Sequence, residues 1–308
     1  MADEKTTSKN TLDGVIKVAL SYVIWGVLPL YWKALQSVPS DQIIAHRIIW
    51  SVVFLAILLI ATGGLGSLRA TLSNRKDMVI IVFCAVLIAI NWYTYIWAVN
   101  SNHIVEASMG YYINPLVSVL LGVLVLKEKL DVYKYIAIFL AAAGIIIMTI
   151  EYGKVPWIAL ALAVSFGLYG LLKKLVSANA ITGLTLETVI LMPIAGAYVL
   201  WMQFSGNGAL GKLPLPLVLL LLCAGIVTAT PLLLFGSGAK KLELSTVGFL
   251  QYVSPTISLV LGIFVYKENF STIEIISFGL IWVGLIIFSV SRFDFSKKPA
   301  SNKASAME

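Results

Sequence analysis

Charge is scarce in this chain of 308 residues: 12% of its residues are Asp, Glu, Lys or Arg, about half the quarter usual in soluble domains. Cysteine and histidine are scarcer still, at two each. Cys84 and Cys223 stand in unrelated apolar runs, which excludes a disulfide framework and a thiolate metal set. His46 and His103 are far apart in the chain, and there is no H-E-x-x-H, G-x-S-x-G or paired His/Cys spacing; the signatures of zinc and serine hydrolases are therefore missing. "GNGALGKL" (206–213) imitates a phosphate-binding loop, but Leu213 stands where a Ser or Thr is required and the segment follows a helix-length apolar run, not a strand. No cofactor or metal is expected, and ATP-driven transport would need a separate subunit.

What the chain does have is apolar length. Its apolar fraction is 59% and its mean hydropathy +0.94. Runs of about 20 residues with few or no charges are long enough to cross a hydrocarbon core as helix. The short alternating segments of a transmembrane barrel are not what these runs look like. Reading apolar runs between polar breaks predicts ten helices, at about 14–35, 43–61, 78–99, 105–126, 133–150, 155–172, 184–203, 215–237, 244–266 and 272–291. The first run is longer than a signal-peptide core and lacks an A-x-A site, so it is expected to be retained. The fold class predicted is an all-α integral membrane protein.

The basic residues orient the spans. With the amino terminus inside, 17 of the 22 Lys and Arg fall on the cytoplasmic side, leaving Lys33, Arg47, Lys154, Lys212 and Lys267 elsewhere; this positive-inside bias predicts that both termini are cytoplasmic. The net charge of +7 is thus accounted for by a membrane, not by nucleic acid. The connecting loops are short, with polar tails at 1–12 and 293–308 and no room for a separate soluble domain.

Half of the chain repeats the other half. At a fixed offset of 140, residues 104–148 and 244–288 share 13 identities in 45 positions, among them Tyr112/Tyr252, Pro115/Pro255, Ser118/Ser258, Gly122/Gly262, Lys127/Lys267, Glu128/Glu268 and Gly144/Gly284. Upstream, Asn91/Pro231 and Tyr95/Phe235 stay in register, and at an offset of 141 so do Trp25/Phe166, Gly26/Gly167 and Lys33/Lys174. Five spans per repeat is odd, so the second half (152–292) enters the membrane upside down relative to the first (1–151), with Lys127-Glu128 inside and Lys267-Glu268 outside. Positions 115, 118, 122 and 125 form one stripe on the fourth span, mirrored on the ninth. Pro115, Gly122, Pro255 and Gly262 can serve either close helix packing or a hinge in each half.

"WGVLPLYWK" (25–33), "AHRIIWS" (45–51), "NWYTYIWAVN" (91–100), "EASMGYYINPLVSVLLG" (106–122) and "STVGFLQYVSPTISLVLG" (245–262) together resemble the EamA branch of the drug/metabolite transporter superfamily, and within it the RarD proteins. The resemblance runs over nearly the whole chain. It implies ten helices in two inverted repeats, a central cavity partly walled by the third, fourth, eighth and ninth spans, export of small metabolites or drugs, and a bacterial inner membrane.

Ionisable residues inside spans cost about 2.5–3.5 kcal/mol each at the bilayer centre on insertion scales, so each needs a reason. Lys33, Arg47 and Glu106 lie toward the outer face, with His46 and His103 at similar depth. Two readings compete. Arg47 and Glu106 could form a packing ion pair while Lys33 snorkels, or Lys33 or Arg47 attracts an anionic or zwitterionic solute and Glu106 exchanges protons. Glu187, at an offset of 141 from His46, is a second proton-exchange candidate or simply a carboxylate near the positive end of its helix. Asn91, Tyr95, Tyr111, Asn114, Gln251 and Tyr252 supply hydrogen-bonding groups for a cavity wall suited to an amino-acid-like or amphenicol-like solute. Trp97 reads as an interfacial anchor.

The function expected is secondary transport by alternating access, as a proton-coupled exporter or as an uncoupled facilitator. An embedded enzyme or scaffold would need a catalytic constellation or a broad partner surface, and the sequence has neither. Substrate, flux direction and oligomeric state are left open.

Overall fold

The computed structural model describes residues 2–101, 103–266 and 271–294. Among them no strand occurs, and ten helices are long and apolar enough to cross a membrane. In chain order the helices are α1 (Ala2–Ala34), α2 (Ser40–Ala61), α3 (Leu65–Ser73), α4 (Arg75–Asn100), α5 (Ile104–Leu124), α6 (Val132–Tyr152), α7 (Trp157–Leu175), α8 (Ala180–Phe204), α9 (Leu215–Ala239), α10 (Leu244–Gln251), α11 (Val253–Leu261) and α12 (Thr272–Asp294). α3 is a short connector, and α10 and α11 make up one span, Leu244–Val265. Each predicted span is present. The first helix begins earlier than its apolar run, its hydrogen-bond ladder continuing back through the polar residues to Ala2. Lys267 and Glu268 lie outside the described residues.

Two prolines that the sequence pairs behave differently. α5 runs without interruption through Pro115. In the other half, helical bonding breaks at Tyr252 between α10 and α11, three residues before Pro255. A proline ring removes the donor for the carbonyl four residues earlier, here that of Gln251. Gly262 then opens a π-helical turn, Gly262–Tyr266, a wider coil often found at functional sites.

The described residues form two compact units, one within 2–128 and 155–266, the other within 129–154 and 271–294. In the larger unit the repeat is visible in the packing. If α1, α2, α4 and α5 are exchanged with α7, α8, α9 and α10–α11, the contacts map onto one another: α5–α7 onto α11–α1, α4–α7 onto α9–α1, and α2–α9 onto α8–α4. Individual residues follow the same rule. A Cβ on Gly26 would lie 2.8 Å from Ile257, and one on its repeat-mate Gly167 would lie 2.8 Å from Val117, the repeat-mate of Ile257. Tyr252 donates its hydroxyl to the carbonyl of Tyr112, its own repeat-mate, at 3.3 Å. A residue touches its own counterpart only near a two-fold axis.

The smaller unit is the pair α6 and α12. Gly144 lies against Ser277, whose carbonyl oxygen would be 2.8 Å from an added Cβ, and Gly284 lies against Ala137 at 2.9 Å in the same sense. Positions 137 and 277 are repeat-mates as well. Small residues here let two backbones approach closely, which is how helices associate where lipid gives no hydrophobic drive.

Candidate functional site

Within the larger unit, α1, α2, α4, α5, α7, α9 and the α10–α11 span enclose a cavity of about 310 Å³. Its walls come from the half of the bundle at which α1 ends: Trp32 near the end of α1, Arg47 in the second turn of α2, Asn91, Trp92 and Tyr95 toward the end of α4, and Tyr111 and Asn114 toward the start of α5. Gln251 and Pro255 face it from across the two-fold axis. The spans expected at the wall, third, fourth, eighth and ninth, all contribute. The first, second and sixth do so as well.

Arg47 is the one charged side chain in that lining among the described residues. Its Nε–H donates to Thr228 Oγ1 at 2.9 Å, and its guanidinium carbon lies 4.7 Å from the ring centroids of both Trp32 and Trp92. Cation–π contacts of this kind contribute roughly 0.5–2 kcal/mol, more when desolvated. Among the described residues no carboxylate pairs with Arg47. The ion pair with Glu106 does not form, because Glu106 turns away: its Oε1 accepts the backbone N–H of Ile158 at 2.8 Å, capping the first turn of α7. A carboxylate at a helix N-terminus is favoured by the free amides and the dipole together.

Asn91 Nδ2 donates to the Leu162 carbonyl and to Ser165 Oγ, each at 3.0 Å, which fixes α4 to α7 at the wall. Tyr95 and Tyr111 meet edge to face at 5.9 Å. Asn114 is 5% exposed, and its Oδ1 has no hydrogen-bond partner; a buried orphan acceptor costs about 1–3 kcal/mol. Five other candidates are not in the lining. Lys33 is exposed at the end of α1. His46 is buried and its Nδ1 accepts from Trp50 Nε1 at 3.3 Å. Tyr252 holds the two halves together, Glu106 caps α7, and Glu187 lies deeper.

Below the cavity five aromatic rings close the way. Trp25 meets its repeat-mate Phe166 at 5.7 Å, Phe235 meets Trp25 at 5.8 Å and Phe166 at 5.6 Å, and Tyr22 and Tyr169 complete the cluster. Beneath it Lys173 and Glu187, each 1% exposed, pair at 2.8 Å, with the Tyr169 hydroxyl donating to Glu187 at 3.1 Å. Further along, Glu128 reaches across from the end of α5. It accepts the backbone N–H groups of Leu244 at 2.5 Å and Ser245 at 2.9 Å, the free donors at the start of α10, with Lys174 at 3.5 Å.

Local sequence makes that reach possible. Lys127 adopts a left-handed φ of 58°, which turns the chain back after α5. The Glu128 N–H then bonds the Gly122 carbonyl at 3.0 Å, and Glu128 Oε2 lies only 2.6 Å from where a Gly122 Cβ would be. Glycine, lysine and glutamate at 122, 127 and 128 are one device. No cluster of His, Cys, Asp or Glu able to hold a metal ion occurs among the described residues.

Sequence reasoning missed Trp32, Trp92, Trp25, Phe166 and Thr228 as cavity residues. Trp92 points from another face of its helix than Asn91 and Tyr95, and all three line the cavity, because a solute cavity takes more than one stripe of a helix. The Trp25/Phe166 match across the repeat was the available signal.

Ten apolar helices with internal two-fold packing and a solute-sized cavity are the architecture of a membrane transporter. Comparison with known proteins agrees. The family model of the EamA-like transporter family matches residues 12–150 and again 154–290, and the chain belongs to that family. It is 48% identical to an uncharacterized transporter, YojE, of Bacillus subtilis (strain 168), over 95% of this chain and 98% of that protein. It is 40% identical to Protein RarD of Escherichia coli (strain K12), over 91% of this chain and 95% of that one, and 26% identical to the chloramphenicol-sensitive protein RarD of Pseudomonas aeruginosa, over 89% and 92%. A solved crystal structure at 18% identity covers 94% of this chain and 99% of its own, with a TM-score of 0.69, which agrees in fold. The protein is an integral membrane transporter of the drug/metabolite type and not an enzyme.

Proposed function

We propose that this protein is a secondary carrier that moves small organic solutes across the bacterial inner membrane by alternating access, its halves 1–151 and 152–292 rocking about the two-fold axis, with both termini cytoplasmic. The observation that carries the reading is the asymmetry along the bundle. At one end lies a cavity; at the other the aromatic cluster, the Lys173–Glu187 pair and the Glu128 cap lie in series. The excess of Lys and Arg at that closed end supports its being cytoplasmic, so the state described is outward-facing. In symmetric halves, an arrangement made at one end has a counterpart that the same sequence pattern can make at the other.

Neither Glu106 nor Glu187 faces the cavity, and both have partners. This favours a carrier that equilibrates its solute over an exporter that exchanges solute for protons in the cavity itself. The test is flux in proteoliposomes with a panel of labelled amphenicols, amino acids and organic acids, with and without a proton gradient. Saturable flux that exchanges internal for external solute and ignores the gradient supports the reading. Concentrative flux driven by the gradient and abolished by Glu187→Gln would replace it with proton coupling.

A further inference from the structure

Arg47 is poorly accounted for by structure alone. An ionised group inside a membrane protein is held by a counter-charge or serves a ligand. Arg47 has one side-chain hydrogen bond, to Thr228, and two indoles, but among the described residues no carboxylate. Thr228 and the indoles position the guanidinium, and its remaining N–H donors are left for whatever occupies the cavity. A guanidinium is matched by a carboxylate, which takes two parallel N–H···O bonds.

The rest of the lining restricts the ligand further. Among the described residues no Asp, Glu, Lys or His lines the cavity, so one positive charge has to be balanced by one negative charge. A second anionic group would go unpaired in a low-dielectric site, and a ligand ammonium would find no carboxylate. The orphan Asn114 Oδ1 asks for a donor. Trp25, Leu28 and Phe166 offer an apolar seat, and about 310 Å³ is the low end for a drug-sized ligand.

We infer that the cavity is a site for small organic monocarboxylates of net charge −1, with the carboxylate on Arg47, a flat apolar body against Trp25 and Phe166, and a neutral hydroxyl or N–H donor at Asn114. This rests on the carrier reading for its purpose but not for its test, which reads binding without transport. Zwitterionic amino acids, amines and dicarboxylates are the wrong charge for it.

The test uses three probes that share a phenol ring and differ in charge: para-hydroxyphenylpropionate, tyrosine and tyramine. Each is titrated into the full-length protein in nanodiscs, with tryptophan fluorescence and thermal shift as readouts. Half-saturation by the monoanion at a concentration at least tenfold below that for tyrosine, and no saturation by tyramine, is the expected order. Arg47→Gln should abolish that order, while Arg47→Lys, which keeps the charge without the fork, should weaken the monoanion about tenfold. Phenylpropionate, a fourth probe without the hydroxyl, should half-saturate at a higher concentration than its para-hydroxyl form in the parent, and Asn114→Leu should abolish that difference; this variant removes an unsatisfied group and so serves as the check should Arg47 variants fail to fold. Tyrosine or tyramine binding as well as the monoanion, no binding by any of the three, or an unchanged order in Arg47→Gln would overturn the inference. Binding in this order without flux in proteoliposomes would leave it standing and sink the carrier reading instead.

Discussion

Replacing Glu128 by glutamine should unlock one end of the bundle without unfolding it. The carboxylate accepts two backbone N–H groups at the first turn of α10 and lies 3.5 Å from Lys174, with its side chain only 8% exposed. Loss of an N-terminal cap costs about 0.5–2 kcal/mol, and hydrogen bonds to a charged group sit toward the upper end of the hydrogen-bond range, roughly 1.5–3 kcal/mol. An amide keeps the geometry but loses the charge and one acceptor oxygen, so about 2 kcal/mol is the loss to expect, near thirtyfold at about 1.4 kcal/mol per tenfold. Hydrogen exchange resolved over 244–251 reads it directly, because Leu244 and Ser245 are the donors released. Their exchange should speed up by roughly that factor while α6 and α12 are unaffected. Gly122→Ala should produce the same local effect by pushing Glu128 aside, its Cβ falling 2.6 Å from Oε2. Lys127→Gly should do the reverse, since a left-handed φ of 58° costs a residue with a side chain about 1 kcal/mol and glycine much less. Unchanged exchange at 244–245 in Glu128→Gln, or faster exchange everywhere alike, would refute the latch.

Glu187→Gln leaves Lys173 charged and buried, so thermal unfolding in detergent should show a loss of about 3–5 kcal/mol, whereas the double replacement Lys173→Met with Glu187→Leu should return close to the parent; a single variant as stable as the parent would mean the pair is not desolvated as described. Gly144→Leu and Gly284→Leu should each destabilise the α6–α12 pair by about 1–3 kcal/mol through overpacking, and similar costs from the two would reflect their equivalent seats against Ser277 and Ala137. Glu106→Ala should weaken the start of α7 by about 1 kcal/mol and leave the affinity for cavity ligands unchanged, a result checked by binding titration alongside a melt; a tenfold loss of affinity would put Glu106 in the site.

The sequence by itself determined the ten spans and the repeat, because these are one-dimensional properties. Apolar run length fixes what can cross a bilayer, and an offset of 140 survives whatever the chain folds into. It also marked Pro, Gly, Lys and Glu at 115, 122, 127 and 128 as non-random without saying why. Only tertiary structure decided their use, since the donors Glu128 caps are 116 residues further along the chain at Leu244. The charged residues divided in the same way. Sequence put Arg47 and Glu106 at one depth and left open whether they meet; packing sent Glu106 to the start of α7 and Arg47 between two indoles facing a cavity. Partner choice for a buried charge depends on which helix faces which and at what rotation, and that information exists only once seven helices have closed around the same space.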